Sequence, residues 1–196
     1  MTDNVYIYPT DTVWGLGGNI FSEIAQTKIA RLKQTAPNKS LSILFPDIEK
    51  VADYFNLPAQ VSNKWLEQLF KLEASLGIPT DWSKIQIPHW VVHSSPIILI
   101  RIINLPVVRE IYAQEGAPIT STSLNRSGEP AMVDREAAKY FSSMHRECIF
   151  KDDKSASLSG LSSTILKLDE NFKVTVIRQG SKILEILEHA KRLSST

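Results

Sequence analysis

Cysteine is almost absent from this chain of 196 residues, which carries one, Cys148. A single thiol cannot build an internal disulfide framework, and such scarcity suits a reducing compartment. A cytoplasmic location is therefore expected. Long apolar runs are missing as well, so no membrane span and no membrane partner are expected. The opening residues MTDNVYIYPT hold neither a basic segment nor an extended apolar one. They do not read as a signal peptide, and the sequons Asn38-Lys39-Ser40 and Asn125-Arg126-Ser127 carry no meaning without one. Charge of either sign is not in excess: the net charge is +1, which by itself points to no nucleic-acid or membrane partner. The histidines at 89, 93, 145 and 189 show no metal-ligand spacing with carboxylates or with Cys148. No tightly bound metal is expected. Internal repeats and long linkers are lacking too, and the length fits one domain over residues 1–196.

What is present is an alternation of strand and helix signals. Val5 to Tyr8 reads as a strand stopped by Pro9. Ser22 caps a helix with apolar positions at Ile24, Ala25, Ile29 and Leu32. Leu41 to Phe45 reads as a short buried strand. Pro46-Asp47 opens a helix with Ile48, Val51, Ala52 and Phe55 on one face. A longer helix is expected from Ala59 to Leu76, stopped by Gly77. Residues 78–96 read as irregular, with one strand near Trp90 to His93. Ile97 to Ile103 is a strand interrupted by Arg101, and Pro106 starts a helix. Pro118 to Thr122 is a strand followed by a polar loop. Asp134 caps a helix ending near Phe141. Strands near Cys148 to Phe150, Ser163 to Leu168 and Lys173 to Ile177 precede a last helix from Ser181 to about Leu193. This pattern predicts an α/β protein, and the closeness of the last two strands makes the sheet mixed.

Gly15-Leu16-Gly17-Gly18 first suggests a dinucleotide fingerprint, but Ile20 stands where G-x-G-x-x-G needs a glycine, and no Gly-Lys-Ser/Thr follows. The segment reads either as a plain glycine-rich turn or as a place where backbone approaches a ligand beside the hydroxyls of Thr10 and Thr12. Further polar clusters fall mostly near strand ends, where α/β proteins bind ligands: Asn38 to Ser42, Ser121 to Pro130, Ser162 to Thr164, and Arg178-Gln179-Gly180. A cation inside an apolar strand is costly unless it pairs or meets a ligand. Arg101 is therefore either a ligand contact or an edge-strand residue facing water.

The stretches YPTDTVWGLG, STSLNRSGEPA, SST and IRQG, in that order, resemble the YrdC-like family over nearly the whole span from Val5 to Gly180. The resemblance implies a twisted mixed sheet flanked by helices around a wide, positively charged cavity. It implies threonylcarbamoyl-AMP synthesis from L-threonine, bicarbonate and ATP with Mg²⁺, releasing pyrophosphate. A separate transferase complex would then pass the threonylcarbamoyl group to tRNA. Such a reaction needs positioning and charge stabilisation rather than a protein nucleophile, and no catalytic-triad motif is present.

By the same resemblance Thr10, Thr12, Arg101, Ser121 and Ser123 line the threonine pocket, with Arg101 holding the carboxylate. Lys33 contacts phosphates and is the one candidate catalytic residue. Ser123, Asn125, Ser163 and Arg178 join it at the nucleotide. Each also has an ordinary reading. Lys33 would be a solvated helix-end lysine, the threonines turn formers, Ser121, Ser123 and Asn125 a polar loop, Ser163 an exposed strand-start hydroxyl, and Arg178 a structural ion-pair partner. The chain departs from the family in four places. Thr35 replaces the second basic residue of a Lys-x-Arg motif. A Pro-Gly-Pro-hydroxyl segment is absent. Asp152-Asp153-Lys154 replaces Asp-Gly-Gly. The first strand starts at Val5, so either the family's usual N-terminal helix is missing or the start of the sequence is misplaced. An alternative is thus a catalytically impaired relative that binds a nucleotide or double-stranded RNA. Trp82 and Trp90 read either as core or as substitutes for lost nucleotide contacts.

Overall fold

A computed structural model describes residues 2–36 and 39–195; Asn38, the first residue of the earlier sequon, lies outside them. The chain opens with a hairpin, β1 (Val5–Pro9) and β2 (Trp14–Gly18), followed by helix α1 (Glu23–Lys33). Then come β3 (Ser42–Phe45), α2 (Ile48–Tyr54), α3 (Asn63–Lys71), β4 (Ala74–Pro79) and a single turn of 3-10 helix at Thr80–Trp82. The second half runs α4 (His89–Val92), β5 (Ile97–Ile102), α5 (Pro106–Glu115), β6 (Ile119–Ser123) and α6 (Arg135–Met144). It closes with β7 (Cys148–Phe150), β8 (Thr164–Leu168), β9 (Val174–Arg178) and α7 (Ile183–Lys191). Nine strands form one sheet in the order β7-β1-β2-β6-β3-β5-β4-β8-β9. Three pairs are parallel (β1 with β7, β3 with β5, β4 with β8) and the other described pairs antiparallel, so the sheet is mixed. No helix among the described residues is long and apolar enough to cross a membrane.

Helix starts follow the caps read in the sequence. Ser22 accepts a hydrogen bond from the Ala25 amide, Asp47 from Lys50 and Asp134 from Ala137, each satisfying an otherwise orphaned donor. One sheet face buries Ile43, Ile100, Leu76 and Leu166 beneath α2, α3 and α7. Val5, Ile7, Trp14 and Leu16 pack against α1 and α6. On the opposite face, Tyr6, Tyr8, Leu44 and Ile119 meet α5.

Four expectations are corrected. The glycine stretch is a fully buried strand, β2, and not a turn. Its alternate residues Trp14 and Leu16 enter the core, while Gly17 lies so close to β6 that a Cβ there would stand 2.0 Å from the Thr120 carbonyl oxygen. The expected helix from Ala59 to Leu76 shrinks to α3, capped by Ser62. Its C-terminal part is instead β4, entered through Glu73 at φ 61°, and Gly77 is mid-strand, opposite Leu99. The run Ala74 to Pro79 is buried at every position, as a central strand requires. The strand expected at Trp90 to His93 is the short helix α4, begun by Pro88. Within α1, Ile24 faces solvent and does not join the apolar stripe.

Candidate functional site

Strand register decides which side chains share a face. Tyr8 lies opposite Gly15, and Gly15 opposite Ser123. Ser42 lies between Ser121 and Leu99. Leu44 stands opposite Arg101. Ser75 faces Ile165, which faces Arg178. These residues therefore occupy the same side of the sheet, where small and polar side chains leave a cavity of about 180 Å³. Thr10, Thr12, Lys33, Arg101, Ser121, Ser123, Asn125, Ser163 and Arg178 all line it. Among the described residues its cationic lining comes from Lys33, Lys39, Arg101 and Arg178, and no carboxylate contributes to that lining.

Arg101 sits on β5, between β3 and β4, so the edge-strand reading does not hold. It is 7% exposed. Its Nη2 donates to the Asp11 carboxylate and, at 3.1 Å, to Thr12 Oγ1. Its buried Nε has no hydrogen-bond partner among the described residues. Burial pushes the Asp11 carboxyl above its usual range, and the Arg101 charge opposes this. Thr10 shapes the turn. Its Oγ1 donates to the Val13 carbonyl at 2.6 Å and accepts from the Thr12 and Val13 amides. Tyr8, wholly buried, donates to Ser121 Oγ at 2.8 Å.

Lys33 reaches the cavity from the last turn of α1 and is buried rather than solvated. Its ammonium donates to the Ser123 carbonyl at 2.5 Å, Asn125 Oδ1 at 2.8 Å and the Asn125 carbonyl at 3.1 Å. Burial, with a smaller push from Lys39, lowers its pKa to about 8. Ser123 Oγ also donates to Asn125 Oδ1, at 2.7 Å. Asn125 Nδ2 then holds the Arg126 and Glu129 carbonyls. Across the cavity, Arg178 donates through Nε and Nη2 to the Ser163 carbonyl at 3.1 and 2.7 Å. Ser163 is buried, not exposed, and its Oγ lies 2.9 Å from Ser75 Oγ.

Ser75 is a cavity residue that the sequence does not reveal, and Lys39, within the polar cluster Asn38 to Ser42, is a cavity cation to which the sequence assigns no individual role. Ser75 was hidden inside the expected long helix, yet it is a cavity hydroxyl on the strand paired with the arginine strand. Lys39 supplies a cation beside Thr35, which also lines the cavity. Asp152 and Asp153 are anchors. Asp152 pairs with Arg135, and Asp153 accepts from the Val107 amide at the start of α5. Trp82 packs on the core, and Trp90 donates to the Ile20 carbonyl; neither lines the cavity.

The family model described as Telomere recombination, for Sua5, YciO and YrdC, matches residues 2–180. A threonylcarbamoyl-AMP synthase of Haemophilus influenzae is 34% identical over 131 residues, 65% of this chain and 69% of that protein. One from Cellvibrio japonicus is 28% identical over 70% of this chain and 71% of that protein. E. coli YciO superimposes with a TM-score of 0.72 at 20% identity, over 93% of this chain and 86% of that one. P. abyssi Sua5 complexed with L-threonine gives 0.77 at 18% identity, and this chain spans 95% of its own length but only 54% of that protein's. The chain belongs to the Sua5/YciO/YrdC family.

Proposed function

We propose that this chain is a threonylcarbamoyl-AMP synthase. It would join L-threonine, bicarbonate and ATP into the adenylate and pyrophosphate, for transfer to tRNA by a separate complex. The observation that carries the reading is Arg101: a buried guanidinium on a central strand, with a free Nε, in a cavity lined by cations and hydroxyls. Every reactant of this chemistry is anionic or carries a carboxylate, and such a lining is built to hold anions.

In this reading Arg101 holds the threonine carboxylate, with Thr12 fixing the guanidinium and Tyr8 fixing Ser121 beside it. Bicarbonate takes up a proton and loses water to give CO2, and the neutral threonine amine adds to its carbon and gives up a proton to form a carbamate. A carbamate oxygen attacks the α-phosphorus, and the bond to the β,γ-phosphates breaks to release pyrophosphate. The protein positions the two reactants and offsets charge on the leaving group through Lys33, Lys39 and Arg178. Mg²⁺ enters as part of the nucleotide. Its hard-oxygen preference fits the serine and asparagine oxygens of the lining, alongside the phosphates themselves. The enzyme class is nucleotidyltransferase, with an ATP side in which Lys39 and Ser75 stand in for the missing family motifs.

A second reading, an impaired relative that binds a nucleotide or double-stranded RNA, is favoured by one feature. The Lys33 ammonium is already held by three protein oxygens. Pyrophosphate release from MgATP, with and without L-threonine and bicarbonate, separates the two. Threonine-dependent release supports the synthase. Binding of ATP or RNA with no release under any substrate combination supports the second reading.

A further inference from the structure

We propose that Glu73 is a positioning residue for the nucleotide half of the cavity, holding together the two segments that carry Ser163 and Arg178. The inference rests on the nucleotide site assigned above, although Glu73 itself does not line the cavity. It is buried, and its backbone is left-handed at φ 61°. A glutamate is uncommon in that conformation, and strain of this kind persists where surrounding contacts impose it.

Those contacts come from two directions. Glu73 Oε2 accepts from Ser159 Oγ at 2.7 Å and from Ser181 Oγ at 2.7 Å. Oε1 pairs with Lys182 Nζ at 2.7 Å. Its carbonyl accepts from the Thr164 amide at 3.2 Å. One carboxylate thus ties the chain just before Ser163 to the chain just after Arg178, and both segments to the start of β4. The two segments also touch directly, for the Gly180 amide donates to Thr164 Oγ1 at 2.9 Å. Around Gly180 a Cβ would meet the Ser162 carbonyl oxygen at 2.6 Å. On the threonine side, Arg101 and Ser121 are carried by β5 and β6, and one link joins the tethered segment to the β1–β2 turn: the Ser159 and Gly160 amides donate to the Asp11 and Thr12 carbonyls at 3.1 and 2.8 Å.

The arrangement predicts a split phenotype in Glu73→Gln, which keeps the shape and removes the charge. Calorimetric titration with ATP and with L-threonine reads it. ATP affinity falls about tenfold, the size of one lost charge-assisted hydrogen bond, and threonine affinity, linked to the tether only through the β1–β2 turn carbonyls, falls by no more than about threefold. Lys182→Met, which removes only the ion-pair partner, moves ATP affinity in the same direction. Hydrogen exchange gives a readout independent of any ligand. The Ser159, Gly160 and Gly180 amides exchange faster in Glu73→Gln, and the β1–β2 amides do not. Unchanged ATP affinity in the folded variant, or equal losses for both ligands with a lowered Tm, overturns the proposal. A wild-type chain that binds neither ligand sinks the synthase reading instead, and the exchange measurement still decides whether Glu73 fixes the two segments.

Discussion

Replacing Arg101 by methionine removes a guanidinium from the middle of the sheet while keeping a side chain of comparable length. Two effects follow, and the structure separates them. The first concerns threonine. A hydrogen bond to a charged group contributes about 1.5–3 kcal/mol, so loss of the carboxylate contact weakens threonine binding roughly 10- to 150-fold. The second concerns stability. Asp11 loses its partner, and breaking a fully buried pair costs about 3–5 kcal/mol. Here the Asp11 side chain is 31% exposed against 9% for Arg101. Water reaches the stranded carboxylate, and a cost of about 1–2 kcal/mol is expected. That cost depends on pH. Burial already raises the folded pKa of Asp11 above its unfolded value of 3.8, and losing Arg101 raises it further. The protonated acid is tolerated in the fold, so the deficit is small at low pH, grows as pH rises above the unfolded pKa of 3.8 towards the raised folded pKa, and is constant above it. Asp11→Asn in the same chain should recover stability without recovering threonine affinity, a non-additivity that a double-mutant cycle measures. Thermal melts across pH and calorimetric threonine titration are the assays. A folded Arg101→Met chain that binds threonine within threefold of wild type refutes the assignment.

Three further outcomes are expected. Lys33 titrates at about 8 instead of 10.5, so ATP affinity should fall as pH rises through about 8. Between about 8 and 10.5 the unfolded chain binds the extra proton, so this site's contribution to stability should rise with pH. A flat ATP affinity across that range would remove Lys33 from the phosphate site. Thr35→Arg adds a cation to the lining and should tighten ATP binding roughly fivefold, about 1 kcal/mol; an unchanged titration would show that residue 35 does not face phosphate. Gly17→Ala drives a methyl to 2.0 Å from a backbone oxygen. It should cost about 3 kcal/mol, lowering Tm by about 10 °C, and a melt within 2 °C of wild type, on the order of 1 kcal/mol, would mean the β2–β6 approach is not tight.

The parts of the fold that were legible in the sequence are those whose signal is local. Ser22, Asp47 and Asp134 each announce a helix start because capping involves residues three apart. The parts that were not legible depend on partners far along the chain. Gly15 and Gly17 resemble a turn in isolation and become strand residues only because Tyr8 and Thr120 lie against them. The segment holding Ser75 continues the helical pattern of α3, and only pairing with β5 and β8 makes it a strand. The ambiguity over Arg101 had the same origin, since whether β5 is an edge or a centre is set by strand order. The cavity residues themselves were recognisable through motif resemblance. Their shared face follows from register, which no single segment encodes.

The cavity hydroxyls are largely bound to one another: Thr10 to Thr12, Tyr8 to Ser121, Ser123 to Asn125, Ser75 to Ser163. An entering ligand must therefore exchange partners with them, and each exchange is close to neutral. The lining will be forgiving of a substrate's shape and strict about its ionisation. A methyl ester of threonine, with the same hydroxyl and amine but no negative charge, offers Arg101 only a neutral carbonyl acceptor and should be held far more weakly than threonine.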